Sequence, residues 1–273
     1  MNKFDQNNAV ETMPGYLLLA QLEKKVLRPG GIELSKKMLN ALQITQRDHV
    51  IEYAPGMGLT AEMALEKNPA SYVAIEKDPV FAQALGKGLL SGPNRRCIVG
   101  DAATPLNFPD HSASVIYGES MLTIHSPETK NLMMKEIFRM LKPNGRYAMQ
   151  EITILPEGLD EMTSKTMLHE IIKAVRHPAW PNTIEQWHEL LDLNGFEIIE
   201  EFQRPVLLLE PERLLEDEGA ESALRFSWNV IDNEVAVKRI RKIRTVFQRY
   251  RENLCGYCVV CRKKNDLKLE EKV

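Results

Sequence analysis

Short apolar runs bounded by turn residues alternate, along much of this chain, with stretches whose apolar positions recur every three or four residues. The runs His49 to Tyr53, Tyr72 to Glu76, Arg96 to Val99, Ser114 to Tyr117 and Arg146 to Ile152 predict strands. Between them the spacing predicts helices over 59–67, 79–90 and 127–141, the last stopped by Pro143-Asn144-Gly145. Upstream, Tyr16, Leu19, Leu22 and Val26 predict a helix over 16–28 that Pro29-Gly30-Gly31 ends, and a second helix over 33–43 follows. Residues 1–15 are polar and end in Met13-Pro14-Gly15, which reads as a loose N-terminus. Alternating strand and helix units of this length imply a mostly parallel sheet with helices on both faces, an α/β architecture.

The second half departs from the alternation. A helix is predicted over 158–177, another over 183–194 ending at Asn194-Gly195, a strand from Phe196 to Phe202, a long helical stretch over 211–253 and a last strand from Gly256 to Arg262. We read 1–273 as one domain, with 1–45 as an N-terminal helical cap and 158–180 and 211–253 as helical insertions over the substrate side.

The chemistry concentrates where strands end. Glu52-Tyr53-Ala54-Pro55-Gly56-Met57-Gly58 follows the first strand and precedes a helix. Glycines there let the backbone approach a ligand, and the helix N-terminus adds exposed N–H groups. Glu76 closes the second strand about 20 residues on, where a carboxylate can accept both hydroxyls of a ribose.

Several segments, in order and in spacing, resemble the class I S-adenosylmethionine-dependent methyltransferases of small-molecule type. Glu52 to Gly58 is similar to the family's acidic, glycine-rich first motif, Gly100-Asp101-Ala102 to the turn that reads the adenine, Tyr117-Gly118-Glu119 to the segment after strand four, and Leu141-Lys142-Pro143-Asn144-Gly145 to the turn before strand five. The resemblance implies a Rossmann-like, mostly parallel seven-stranded sheet with a C-terminal antiparallel hairpin and helical lid insertions. It implies S-adenosylmethionine as cofactor and S-adenosylhomocysteine as product. The cofactor-binding positions it implies are Glu52, Ala54, Gly56, Gly58, Glu76, Lys77, Asp101, Ala102, Gly118 and Glu119. Two positions depart from the family pattern. Ala54 stands where the motif has its first glycine, so a negative φ is expected there. Asn144 stands where a glycine is usual, which a left-handed Asn tolerates.

A sulfonium methyl is already activated, so positioning and water exclusion carry most of the reaction. A base is needed only for an acceptor that arrives protonated. Glu119 and His125, at the end of the fourth strand, are the candidates for it. Tyr16, Met121, His125 and His169 are candidate substrate contacts, and Arg176 and His177 share the helix of His169. Glycines 30 and 31 either stop a helix or allow the cap to approach the cofactor.

A net charge of −3 argues against a nucleic-acid partner. No run of about 18 apolar residues predicts a membrane span, and no signal peptide is recognised, so a cytoplasmic protein is expected. Cys255, Cys258 and Cys261 have metal-like spacing but alternate across a strand, so buried thiols and no metal are expected. Residues 238–251 hold seven Lys or Arg and follow an acidic segment from Glu210 to Glu221, which predicts a helical hairpin with cross-paired charges. The alternatives to methyl transfer are a non-catalytic S-adenosylmethionine-binding interaction protein and, through Gly56-Met57-Gly58-Leu59-Thr60-Ala61, a nicotinamide-dependent oxidoreductase.

Overall fold

The computed structural model describes residues 9–264, so the segment read as a loose N-terminus lies partly outside them. The chain order is α1 (Gly15–Gln21), α2 (Gly31–Leu42), β1 (His49–Tyr53), α3 (Leu59–Leu65), β2 (Ser71–Glu76), α4 (Pro79–Lys87), β3 (Arg95–Val99), β4 (Ala113–Glu119), α5 (Pro127–Met140) and β5 (Leu141–Ile154). It continues with α6 (Glu161–Val175), β6 (Asn182–Thr183), α7 (Ile184–Leu193), β7 (Phe196–Pro205), α8 (Pro211–Ile231), α9 (Glu234–Arg249) and β8 (Leu254–Lys263). The strands form one sheet in the order β3-β2-β1-β4-β5-β8-β7. The seven expected strands all form, and the two-residue β6 adds an eighth beside β5. β8 is antiparallel to both β5 and β7.

Helices cover both faces because both faces are apolar. One face packs Ile51, Ile116 and Tyr147 against Met133, Met134 and Ile137 of α5 and Trp187 and Leu191 of α7. The other packs Val50, Val115 and Ala148 against Leu34 and Met38 of α2, Ala61 and Ala64 of α3, and Leu85 of α4. Cys258 lies on this second face, whereas Cys255 and Cys261 lie on the first, and all three thiols are buried.

Helix starts follow local chemistry. Asp78 caps α4 through the backbone N–H of Val80 at 2.7 Å, with Pro79 as the first helical residue. Thr183 and Gln186 form a capping box at the start of α7. Asn144 adopts φ +60°, the left-handed turn that its amide tolerates.

The expected helix over 16–28 stops at Gln21. Its continuation is lost to a tertiary contact: the Glu218 carboxylate accepts the backbone N–H of Lys25 and of Val26 and the Lys24 ammonium, at 2.9–3.1 Å. Glu23 adopts φ +70° at the break. The long helical stretch is two helices, α8 and α9, separated at Asp232-Asn233, with α8 kinked at Gly219.

Glycines 30 and 31 serve cap packing. A Cβ on Gly256 of β8 would lie 2.4 Å from the Gly30 nitrogen, and one on Gly31 (φ +70°) 2.4 Å from Asp217. The cap therefore rests directly on the backbone of β8, close to Gln150, whose side-chain oxygen accepts the Gly30 N–H at 3.0 Å. Gly256→Ala must push the cap off the sheet, an overpacking cost of about 1–3 kcal/mol. A lowered melting temperature is expected, and wild-type melting would show that the cap is not seated there.

Candidate active site

Register aligns the strand ends: Tyr53 sits beside Ile75 and Gly118, and Glu76 beside Val99. The turns that follow β1, β2 and β3 therefore meet at one edge of the sheet, and Glu76 joins all three. Its carboxylate accepts the N–H of Gly56 at 3.1 Å and of Asp78 at 2.9 Å, and its carbonyl accepts the Gly100 N–H at 2.9 Å. Burial raises the Glu76 carboxyl above its ordinary value, against the pull of these N–H donors.

The loop itself is left-handed at three points, with φ +50° at Ala54, +57° at Gly56 and +84° at Gly58. The negative φ expected for Ala54 is thus corrected. Its N–H is held by the Ile75 carbonyl at 2.9 Å, and that parallel-strand contact maintains a conformation a methyl-bearing residue disfavours. Space above Gly56 is open, whereas a Cβ on Gly58 would strike Leu85 at 2.5 Å.

After β3, Asp101 accepts the Ala103 N–H at 3.0 Å and pairs with Lys77 at 2.8 Å. Burial pushes the Asp101 carboxyl up, but Lys77 and the Ala103 N–H outweigh it and hold it below the usual range. Ala102 is half-buried in the same turn.

Glu52 is not open to the cleft. It is 2% exposed, accepts the Tyr72 hydroxyl, and burial pushes its carboxyl up to about 8. Tyr72 in turn shares a 2.6 Å hydroxyl contact with Tyr117.

Glu119, read as a possible base or as a ligand for a cation, is already committed. Its carboxylate pairs with Arg28 Nε at 2.7 Å and accepts the Thr60 hydroxyl and the Gln150 amide, each at 2.6 Å, together with the Ser35 hydroxyl. Four donors on one carboxylate engage the acceptor sites of both its oxygens. Arg28 is 8% exposed, and its Nη1 has no partner. Next to Glu119, Ser120 holds φ +56° and its buried hydroxyl is likewise unpartnered. Arg28, Ser35 and Gln150 carried no sequence signal for this cluster. Thr60 had one, its place in the first turn after the glycine loop.

Beyond β4 the chain is gathered by Glu151 of β5. This fully buried carboxylate accepts the N–H groups of Met121, Leu122 and Thr123 at 2.8–3.1 Å. Met121 is drawn into the core beside Tyr53 and Gly118, at 4% exposure, and not onto an acceptor surface. Burial lowers the His125 imidazole below its ordinary value, against the Asp101 carboxylate, which pulls it up.

The rim opposite is aromatic. Tyr16 is 48% exposed and stands edge-on to His177 at 5.5 Å. Burial and, after it, the Asp78 and Glu76 carboxylates raise its phenol above its ordinary value. Trp180 is tied to the segment after β4 through its backbone N–H, donated to the Thr123 carbonyl at 2.6 Å. The Lys130 ammonium holds residues 180–182 by donating to the Trp180 carbonyl and to Asn182, and burial pushes it down to about 8. His169 is not part of this rim: it is exposed on α6, and Arg176 pairs with Glu11 at 2.6 Å. Of the three basic residues on that segment, His177 is the one brought to Tyr16.

Residues 50–145 match the family described as a methyltransferase domain. An uncharacterized protein of Haemophilus influenzae is 28% identical over 255 residues, 92% of this chain and 98% of that one. Among solved structures, the MccD protein matches with a TM-score of 0.69 at 18% identity, over 88% of this chain and 100% of that one. Phosphoethanolamine N-methyltransferase 2 of Haemonchus contortus, solved with phosphomonomethylethanolamine and S-adenosylhomocysteine, matches with a TM-score of 0.66 at 15% identity. That alignment takes in 91% of this chain and 57% of the nematode protein. At these identities the two structures establish the fold.

Proposed function

We propose that the methyltransferase domain on residues 50–145 binds S-adenosylmethionine across the ends of β1 to β4 and delivers its methyl group to a small-molecule acceptor under the aromatic rim. The observation that carries this reading is the Gly56 N–H to Glu76 carboxylate bond, which fixes the glycine loop against an acidic strand end. The solved nematode relative, with S-adenosylhomocysteine bound, supports the cofactor.

Each part of the cofactor has residues suited to it. Glu76 offers carboxylate oxygens to the ribose hydroxyls, and Asp101 with the Ala102 backbone faces the adenine. Gly56, with open space above it, leaves the backbone bare beside the methionine chain, while Gly58 and Gly118 let the loop and β4 pack closely against Leu85 and Met121 at that end of the sheet. Lys77 orients Asp101 through their ion pair. Glu52 shapes this wall from behind. The orphaned Nη1 of Arg28, beside Glu119 and the first turn of α3, suits the methionine carboxylate.

When bound, the cofactor supplies an electrophilic methyl on a sulfonium. The chain's own residues then orient the acceptor and keep water out. Tyr16, His177 and Trp180 form the apolar side of that enclosure. His125, kept neutral at pH 7 by burial, is the group that can take a proton from an acceptor hydroxyl, thiol or ammonium.

Calorimetry with S-adenosylhomocysteine tests the reading, and micromolar binding is expected. A wild-type protein that ignores it would overturn the proposal. Arg28→Ala should weaken S-adenosylhomocysteine by about tenfold or more while leaving 5′-methylthioadenosine, which lacks the carboxylate, unchanged. The ratio of the two affinities is the readout, since Arg28→Ala also strips Glu119 of its ion pair. Arg28→Lys should keep much of the ratio, and an equal loss for both ligands would remove the carboxylate role.

A further inference from the structure

The cross-paired hairpin expected from the acidic stretch 210–221 and the basic stretch 238–251 is not what forms. Asp217 and Glu218 turn inward to Lys24, Glu216 pairs with Arg204 and Arg213, and Glu221 pairs with Arg225. Only Glu210 crosses to α9, meeting Arg244 at 2.8 Å. Arg249 is taken by Glu170 of α6 at 2.6 Å, and Arg239 is spent on the Val10 and Met13 carbonyls. Two of the acids that could neutralise α9, Asp217 and Glu218, are thus used to hold the N-terminal cap, and Glu216 and Glu221 are taken by arginines outside α9.

What is left over is a set of exposed cations. Lys238, Arg241 and Lys242 of α9 and Lys173 of α6 make no ion pair among the described residues, and they line a groove of about 500 Å³ between the two helices. The neighbouring helix adds a second, independent feature. Leu224, Trp228 and Ile231 of α8 are 71%, 70% and 69% exposed and recur at the spacing of one helix face. The stripe ends at Ile231, and the basic run begins at Lys238, across the Asp232-Asn233 turn. Exposed Asp232 and Glu234 sit at that turn and offset the cations only in part.

We propose that the α8–α9 hairpin docks on an anionic phospholipid surface, with Leu224, Trp228 and Ile231 entering the headgroup boundary and Lys173, Lys238, Arg241 and Lys242 facing the phosphates. An exposed aromatic and aliphatic stripe on one helix of the hairpin, with unpaired Lys and Arg on the other, offers groups for both parts of a membrane interface. A polynucleotide would satisfy the cations and leave the Leu and Ile side chains in water. No helix among the described residues is long and apolar enough to cross a membrane.

Cosedimentation of the full-length protein with phosphatidylcholine vesicles, with and without phosphatidylglycerol, tests this. Binding is expected only with phosphatidylglycerol, with weakening at higher salt and a blue-shifted tryptophan emission that Trp228→Phe diminishes. Each surface cation is worth about fivefold in affinity near an anionic membrane, so Lys238→Glu/Lys242→Glu should lose tenfold or more. Lys238→Arg/Lys242→Arg should keep binding. The three substituted positions are exposed, and unchanged melting of the variants confirms their fold. Absence of binding to the anionic vesicles would overturn the proposal. Indifference to the charge reversals would overturn it too, as would a stable dimer that Trp228→Ala dissolves or binding of duplex nucleic acid in place of lipid.

Discussion

Glu76→Ala will weaken S-adenosylhomocysteine binding by two orders of magnitude or more, read by calorimetry on protein of near wild-type melting temperature. The side chain does two things at once. It accepts the Gly56 and Asp78 N–H groups and so fixes where the glycine loop and the start of α4 stand. On the proposed reading it also accepts the ribose hydroxyls. A hydrogen bond to a charged group is worth about 1.5–3 kcal/mol, and losing two of them exceeds a hundredfold in affinity. Glu76→Gln keeps one acceptor oxygen and should fall between. Undiminished binding in Glu76→Ala would mean that the ribose is held elsewhere and that the strand-end acid only shapes the turn.

Glu119→Ala will lower the melting temperature by about 10 °C. Removing one partner of a buried ion pair costs about 3–5 kcal/mol because the other charge stays buried without compensation, and for a domain of this size each kcal/mol shifts melting by about 2–4 °C. Here the stranded group is Arg28, at 8% exposure, and the hydroxyls of Ser35 and Thr60 and the Gln150 amide lose their acceptor together with it. The double change Arg28→Met/Glu119→Ala should recover a large part of the loss, since it removes the unpaired charge. Melting of Glu119→Ala within a degree or two of wild type would show that water or a side-chain shift already compensates the pair.

Much of the fold was legible because strand and helix periods are local. β1 to β4 were placed to within two residues, β5 begins at Leu141 and so takes in the expected Pro143-Asn144-Gly145 turn, and the two-residue β6 was missed because nothing in Asn182-Thr183 distinguishes a strand from the cap of α7. Helix α1 was overextended for the opposite reason. Leu22 and Val26 continue the apolar spacing, but the backbone that follows is bonded to Glu218, nearly two hundred positions away in the chain. The site divided the same way. Gly56, Gly58, Glu76 and Asp101 announce themselves by residue type at strand ends. Arg28, Ser35 and Gln150 are ordinary residues of a cap and a strand until the fold brings them to Glu119.

By itself the sequence determined the alternation of strands and helices, the apolar content of both sheet faces and the chemistry available in the turns after β1, β2 and β3, since all of these depend on neighbours within a few residues. Tertiary structure alone decided the sign of φ at Ala54, the commitment of Glu119 and the choice of His177 over His169 at the rim. It also decided which acids neutralise which bases, and so left one face of α9 positively charged. Ion pairs and buried hydrogen bonds join whichever groups the packed elements place within reach, and that reach is set by the assembled sheet and not by separation along the chain.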